Sequence, residues 1–227
     1  MPETTKKPPR RHNRTGMPRR EEFLDAALRK FSAQGYTASS TRDICAEVGI
    51  AHSAIYNYFP TKSDILLALE ERELQPMVAD AEQLLAQHLD SNLLDRLEAL
   101  LTYTMIVAMQ RRDAWMLFQE MLRHLNKRDL KIFIDHRNRY EAIVRTCLDQ
   151  AIEGGIFPEQ DSRLAIFYFF GIVDGVVRGY RPSGRIKPDE LARHAVQFFL
   201  ASVASGGRPP ATAVKDSRRL RKSPARS

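Results

Sequence analysis

Residues 37–62, TASSTRDICAEVGIAHSAIYNYFPTK, concentrate side chains of the kinds that bind nucleic acid. Cationic side chains pair with phosphates, an asparagine amide matches the edge of adenine, and a methyl group contacts thymine. Asn57 is the candidate for an adenine contact, whereas Ala54 offers only a methyl group. This chemistry needs a rigid element that presents the side chains together in a groove.

Two short helices around a glycine provide such an element. Ser40 caps the first helix, with Asp43 at its third position, and Gly49 supplies a residue that can take a positive φ where that helix ends. The second helix is predicted over residues 52–58, with Ile55 and Phe59 held in a core. Its predicted exposed residues are His52, Ser53, Ala54, Tyr56 and Asn57.

Helices this short cannot bury a core alone, so the unit needs neighbours. Apolar residues at helical spacing predict helices over residues 21–34 and 61–74, which complete a small helix-turn-helix domain. A purely structural helical hairpin is the alternative reading. Arg42 and Lys62 favour DNA binding, because each stands at a helix N-terminus, where a positive charge is disfavoured unless a phosphate lies near.

The pattern FxxxGYxxSSTRDICAEVGIAHSAIYNYFPTKSDIL resembles the N-terminal DNA-binding domain of the tetracycline-repressor (TetR) family over roughly residues 19–70. The resemblance implies a homodimeric transcription factor that binds double-stranded operator DNA and is released by a small molecule. Ala51 and Ala54 depart from the family, which usually has hydroxyl residues there. The DNA-binding residues predicted from the sequence and the resemblance together are Ser40, Thr41, Arg42, His52, Ser53, Ala54, Tyr56, Asn57, Tyr58 and Lys62. By resemblance, Thr41 and Arg42 reach the backbone and a base, and Tyr56, Tyr58 and Lys62 contact phosphates.

The chain carries a net charge of +7 that is concentrated in its tails. Residues 1–18 and 206–227 are rich in Pro, Ser, Lys and Arg, and we expect both to be disordered basic segments around an acidic body. Each tail can either add DNA affinity or serve only solubility. A non-specific nucleic-acid-binding protein is therefore the rival function; deleting both tails would abolish its binding but leave the site preference of a specific regulator.

Other classes of protein find little support. No Gly-rich phosphate loop, HExxH or GxSxG motif is present, so we expect no enzyme, and Cys45 and Cys147 lack metal-ligand spacing. No apolar run is long enough to span a membrane, and the Arg-rich start lacks the apolar segment of a secretory signal. We expect a soluble, cytoplasmic protein that needs no cofactor.

Apolar periodicity predicts helices throughout the rest of the chain, and thus an all-α fold. We predict a DNA-binding domain over residues 19–66 and a helical ligand-binding and dimerisation domain over residues 67–205. Pro76 should kink or divide the first helix of this second domain. Further helices are predicted over residues 92–111, 113–125, 127–153, 161–180 and 188–204.

Three glycines line one stripe of the helix over residues 161–180. Gly171, Gly175 and Gly179 stand four residues apart, and each costs a helix about 0.8–1 kcal/mol relative to alanine. Either another helix or a ligand must approach closely there. We expect a dimer interface, because TetR relatives pair through their last two helices.

The sequence also predicts an effector site in the second domain. Aromatic and methionine side chains either line an apolar pocket or form ordinary core: Trp115, Met116, Phe118, Met121, Phe133, Tyr140, Phe167 and Phe170. Polar residues on the same helices are Arg123, His136, Arg137, Asp174, Arg178 and Arg181. FIDHRNRYEAIVRTCLDQAIEGGIF and GYRPSG resemble the TetR subgroup that responds to acyl-coenzyme A thioesters. That resemblance implies an acyl group among the aromatics and coenzyme A phosphates near Arg178 and Arg181, although a salt bridge or a helix cap explains both arginines equally well.

Overall fold

The computed structural model describes residues 16–206, and these residues form nine helices and no strand. The helices are α1 (Gly16–Gln34), α2 (Thr41–Val48), α3 (His52–Ile55), α4 (Lys62–Gln87), α5 (Leu93–Gln110), α6 (Arg112–Met121), α7 (Lys127–Glu153), α8 (Ser162–Gly179) and α9 (Pro188–Ala204). The predicted all-α class is confirmed. Residues 1–15 and 207–227, where most of the two predicted basic tails fall, lie outside the described residues.

The described residues form two compact units that divide within α4, between Leu69 and Glu70. In the first unit, α1, α2, α3 and the start of α4 bury a small core that includes Phe23, Phe31, Ile44, Ile55 and Phe59. In the second unit, α5 is central and contacts α7, α8 and α9. Its buried residues there include Leu97, Leu100, Leu101, Met105 and Ala108.

The predicted cap and turn of the first unit are confirmed. The Ser40 hydroxyl accepts hydrogen bonds from the backbone N–H groups of Arg42 and Asp43, and Gly49 takes a φ of 73° at the end of α2. A residue with a side chain rarely adopts this backbone conformation, so glycine is what lets the chain turn here. The turn directs residues 50–51 into α3.

Several predicted helix boundaries were wrong. Helix α1 begins at Gly16 instead of residue 21, and a proline is tolerated in its first turn, where N–H groups lack helical partners. Helix α3 ends at Ile55 instead of residue 58. Beyond it the N–H groups of Asn57 and Tyr58 bond three residues back, to Ala54 and Ile55, which tightens the chain into turns.

In the second unit, α4 continues through Pro76, so the predicted division of this segment was wrong. Helix α6 ends at Met121 instead of residue 125, because the N–H groups of Arg123 and His124 also bond three residues back. Helices α7 and α9 have the predicted bounds. Across the described residues, no helix is both long and apolar enough to cross a bilayer.

Candidate DNA-binding surface and effector cavity

Helix α3 presents most of its side chains on the surface of the first unit. Ser53 and Ala54, together with Tyr56 and Asn57 just beyond the helix, are exposed, and His52 is half-buried, whereas Ile55 is 2% exposed and anchors the helix in the core. No side chain caps the helix at Ala51, as expected from the missing hydroxyl. The segment therefore has one buried anchor and a free outer face.

Helices α2 and α3 are joined by a small polar cluster around His52. Its Nε2 lies 3.0 Å from the Thr41 Oγ1 and 3.4 Å from the Tyr56 hydroxyl, and the His52 and Tyr56 rings meet edge to face. Three of the predicted DNA-binding residues thus support one another. This cluster fixes the orientation of the exposed face before any ligand arrives.

Lys62 has partners within the first unit. Its ammonium group donates a hydrogen bond to the Tyr36 carbonyl, and it lies 4.2 Å from the Tyr36 ring centroid and 5.6 Å from that of Phe31. Burial lowers the pKa of Lys62. A phosphate is thus not needed to explain a lysine at this helix N-terminus, whereas Arg42 and Tyr58 project into solvent.

The second unit contains a largely apolar cavity of about 80 Å³ between α4, α5, α6, α7 and α8. Its lining residues are Glu70, Glu73, Leu74, Met77, Arg111, Ala114, Trp115, Phe118, Gln119, Phe133, Arg137, Tyr140, Glu141 and Phe170. Six residues of the predicted effector site are among them. Helix α4, which also contributes residues 62–69 to the first unit, supplies four of the lining side chains.

Asp174, on α8, holds two side chains of the cavity wall through hydrogen bonds. Its Oδ1 accepts a hydrogen bond of 2.8 Å from the Trp115 Nε1 and another of 2.8 Å from the Gln119 Nε2. A carboxylate that accepts two N–H groups is strongly held. Asp174 itself does not line the cavity, and its role is to orient two α6 side chains that do.

Tyr140 is 2% exposed, and its hydroxyl group forms a hydrogen bond within the protein. The Thr104 hydroxyl donates its one proton to the Leu100 carbonyl at 2.7 Å. The 2.7 Å contact between Tyr140 and Thr104 therefore has the phenol as donor. Burial raises the pKa of Tyr140 above its ordinary value, so the phenol keeps its proton.

Glu70 is the most buried charged residue of the cavity, with 3% of its surface exposed. Its Oε2 lies 2.6 Å from the Nδ1 of His136 on α7. Burial raises the pKa of Glu70 to about 7, although the hydrogen bond and the charge of His136 act in the opposite direction. The contact therefore ties α4 to α7, and Glu70 titrates near neutral pH.

The remaining charged groups of the cavity form partly exposed ion pairs. Arg111 donates to the Glu73 Oε2 at 3.0 Å and also to the Glu73 carbonyl, and Arg137 donates to the Glu141 Oε1 at 2.6 Å. Their guanidinium groups have further N–H donors that these bonds do not use. They are the cationic groups nearest to any ligand in the cavity.

The structure does not bring all the predicted effector residues together. Met121 is fully buried core, Phe167 is 70% exposed and therefore does not line the cavity, and Arg178 and Arg181 are exposed side chains away from its lining. The sequence prediction missed Glu70, Glu73, Arg111 and Gln119. The sequence could have predicted that Glu70 is buried, because it stands four residues after Leu66 on the apolar side of α4.

The glycine stripe lies open on the surface of α8. A Cβ atom added at Gly171, Gly175 or Gly179 would meet no heavy atom within 4 Å in the described part of the chain. Phe167 and Phe198, on α8 and α9, are 70% and 71% exposed. These two helices thus carry exposed apolar side chains, and the glycines leave room on α8 for another helix to pack closely.

A helix-turn-helix unit with an exposed α3, joined through α4 to a helical unit with an apolar cavity, defines a DNA-binding regulator of the ligand-sensing class. Two family models match the chain: "Bacterial regulatory proteins, tetR family" over residues 23–69 and "Tetracyclin repressor-like, C-terminal domain" over residues 90–203. The chain therefore belongs to the tetracycline-repressor (TetR) family.

Individual proteins of this family resemble the chain over most of its length. The HTH-type transcriptional repressor KstR2 of Rhodococcus jostii is 26% identical over 189 residues, which cover 82% of this chain and 92% of that protein. The FadR regulator of Bacillus subtilis in complex with stearoyl-CoA has a TM-score of 0.67 at 22% identity, covering 82% of this chain and 98% of that one. AibR in complex with isovaleryl coenzyme A and operator DNA has a TM-score of 0.68 at 20% identity, covering 79% and 97%.

Proposed function

We propose that this chain is a homodimeric transcriptional repressor that binds a palindromic operator and leaves it when an acyl-coenzyme A occupies the cavity of the second unit. The observation that carries the proposal is the position of α4. This one helix lines the cavity with Glu70, Glu73, Leu74 and Met77 and also supplies residues 62–69 of the DNA-binding unit. A repressor that binds chromosomal operators acts in the cytoplasm.

The DNA contacts are assigned to the exposed face of α2, α3 and the turn after it. Asn57 would read a base edge in the major groove, and Arg42 and Tyr58 would hold the phosphates. His52 and Thr41 support this face through their hydrogen bond of 3.0 Å. Ser40 acts indirectly, because its hydroxyl is used to cap α2.

The effector is assigned to the acyl-coenzyme A class on the character of the cavity and on the relatives. The aromatic side chains of Trp115, Phe118, Phe133 and Phe170 offer apolar walls to an acyl group. FadR and AibR were solved with acyl-coenzyme A ligands.

The coenzyme A part would lie outside the apolar walls. Arg111 and Arg137 line the cavity and have unused N–H donors. They are therefore better placed than Arg178 and Arg181 to bind a phosphate or a thioester. The last two remain candidates for the phosphates that lie farther from the acyl group.

The dimer is assigned to α8 and α9. Glycines let two helices approach closely, and exposed phenylalanines bury apolar area when a partner covers them. Two protomers would place their α3 helices about one DNA turn (~34 Å) or slightly more apart. The effector would favour a dimer with a different spacing, and a coupling of about 1–3 kcal/mol lowers operator affinity by roughly 5- to 150-fold.

A cavity-filling substitution tests this function. Ala114 lines the cavity and is 2% exposed, so Ala114→Leu should occupy the space of the acyl group and weaken acyl-coenzyme A binding at least tenfold. Operator affinity without effector should stay unchanged. Ala86→Leu, at an exposed position of α4, is the matched control. Unchanged acyl-coenzyme A affinity in Ala114→Leu would place the effector elsewhere.

A further inference from the structure

Several polar groups of the cavity already use their protons in hydrogen bonds to protein partners. Tyr140 donates to Thr104, and Trp115 donates to Asp174. One proton lies between the Glu70 Oε2 and the His136 Nδ1, which are 2.6 Å apart. Each of these groups can therefore offer a ligand only an acceptor, or nothing at all.

Glu70 is the acceptor that lacks a protein partner. His136 occupies its Oε2, and among the described residues nothing hydrogen-bonds to its Oε1. When Glu70 is ionised, its Oε1 can only accept a hydrogen bond. A carboxyl group 3% exposed in an apolar cavity is costly to bury, and a ligand that donates to Oε1 would offset that cost.

The carboxylates around Glu70 disfavour an anionic ligand group next to its Oε1. Glu71, Glu73 and Glu141 lie on the same two helices, and the guanidinium groups of Arg111 and Arg137 are engaged by Glu73 and Glu141. A ligand carboxylate next to Oε1 would meet the like charge of the ionised Glu70 carboxyl group. A neutral O–H group does not meet this obstacle.

We infer that the effector carries a hydroxyl group on the part that enters the cavity, and that Glu70 is the residue that selects it. Within the proposed function, this narrows the effector from acyl-coenzyme A thioesters in general to hydroxyacyl thioesters. Tyr140, whose oxygen can also accept, is the second group within the cavity suited to such a hydroxyl. The inference rests on the proposed function, since it assumes that the effector occupies this cavity.

Matched pairs of ligands test the inference directly. Saturated acyl-coenzyme A thioesters of short, medium and long chain are titrated against full-length protein beside their counterparts with a hydroxyl at C3 or at the far end. In at least one pair the hydroxylated member should bind about ten- to a hundred-fold more tightly, which is the worth of a hydrogen bond to a carboxylate. Equal affinities in every pair would overturn the inference while leaving the proposed function intact. If no thioester of either kind binds, both fall together.

Substitutions at Glu70 assign the preference to this residue. Glu70→Met keeps the length of the side chain but removes the acceptor, so the preference should disappear, whereas Glu70→Gln keeps an acceptor and should retain part of it. Glu82→Met, at an exposed position of α4 that does not line the cavity, is the matched control and should leave the preference unchanged. Operator affinity without effector and thermal melting report whether each variant folds. A preference that survives in Glu70→Met would remove Glu70 from the recognition.

Discussion

The Nε1 of Trp115 lies 2.8 Å from the Oδ1 of Asp174, and this bond joins α6 to α8 beside the effector cavity. The same oxygen accepts a hydrogen bond from Gln119. Two cavity side chains therefore depend on one carboxylate that does not line the cavity itself. The sequence analysis placed Asp174 in the predicted effector site; in the structure it does not line the cavity, and its hydrogen bonds hold two residues that do.

Removing this carboxylate should disturb the cavity wall. We predict that Asp174→Leu lowers the free energy of unfolding by about 1–3 kcal/mol, because it breaks two hydrogen bonds to a charged acceptor. Acyl-coenzyme A affinity should fall with it. Asp174→Asn, which keeps one acceptor oxygen, should lose less on both counts, as measured by chemical denaturation and ligand titration. Equal losses in the two variants would show that the Asp174 carboxylate does not stabilise the cavity wall.

Glu70 should give the stability of the protein a distinct pH dependence. Its pKa rises from the ordinary value of 4.5 to about 7 in the folded protein, mainly through burial. Between these values the folded chain holds a proton that the unfolded chain has lost, so the free energy of unfolding falls as the pH rises through this window. Glu71 adds to the rise, and His136 opposes it.

The variant Glu70→Gln cannot titrate and should remove this dependence. Relative to the wild type, its free energy of unfolding should increase by about 2–3 kcal/mol between pH 4.5 and pH 8. Denaturant unfolding of both proteins across this range measures the difference. A constant difference at all pH values would mean that the Glu70 pKa is not raised in the folded protein.

Lys62 should stabilise the first unit whether or not it also contacts DNA. Its ammonium group holds the Tyr36 carbonyl and lies over two aromatic rings, so Lys62→Met should lower the stability of this unit by about 1 kcal/mol. Hydrogen exchange of α1 and α2 amides measures this loss. The dependence of operator affinity on salt then tests the phosphate contact that the family resemblance implies, because each lost contact reduces the slope by about 0.9. Arg42→Gln, at an exposed position, is the comparison.

The open glycine stripe predicts opposite effects of one substitution on the protomer and on the dimer. Gly175→Ala should raise the intrinsic stability of α8 by roughly 0.8–1 kcal/mol, since a Cβ atom there meets nothing in the chain. The same methyl group should weaken dimerisation if a partner helix lies against the stripe. Analytical ultracentrifugation measures the second effect. An unchanged dimer constant would place the interface on another face.

Local signals accounted for much of the fold. The ends of α7 were predicted correctly, and in the structure Asn126 caps its start and a Gly-Gly pair follows its end, with Gly155 at a φ of 74°. Helix α4 was predicted to kink or divide at Pro76, because a proline costs about 3 kcal/mol in a helix, and it does not divide there. Burial of the neighbouring Met77 and Val78 favours the continuous helix, and this tertiary gain is invisible in a local pattern.

The candidate site was predictable only in part, for a similar reason. Aromatic residues at helical spacing marked the cavity walls, but the polar partners lie far apart in the sequence. Glu70 and His136 are 66 positions apart, and only the packing of α4 against α7 brings them together. Arg178 and Arg181 were chosen by resemblance and do not line the cavity, whereas Arg137, which was also predicted, and Arg111, which was not, do line it.

The central claim is that a ligand in the second unit changes the DNA affinity of the first. An operator selected from random DNA, labelled and titrated with full-length protein in the presence and absence of saturating acyl-coenzyme A, tests it most directly. The account predicts a sequence-specific complex whose affinity falls roughly 5- to 150-fold with the effector. A complex that shows no sequence preference, or one whose affinity no acyl-coenzyme A changes, would contradict it.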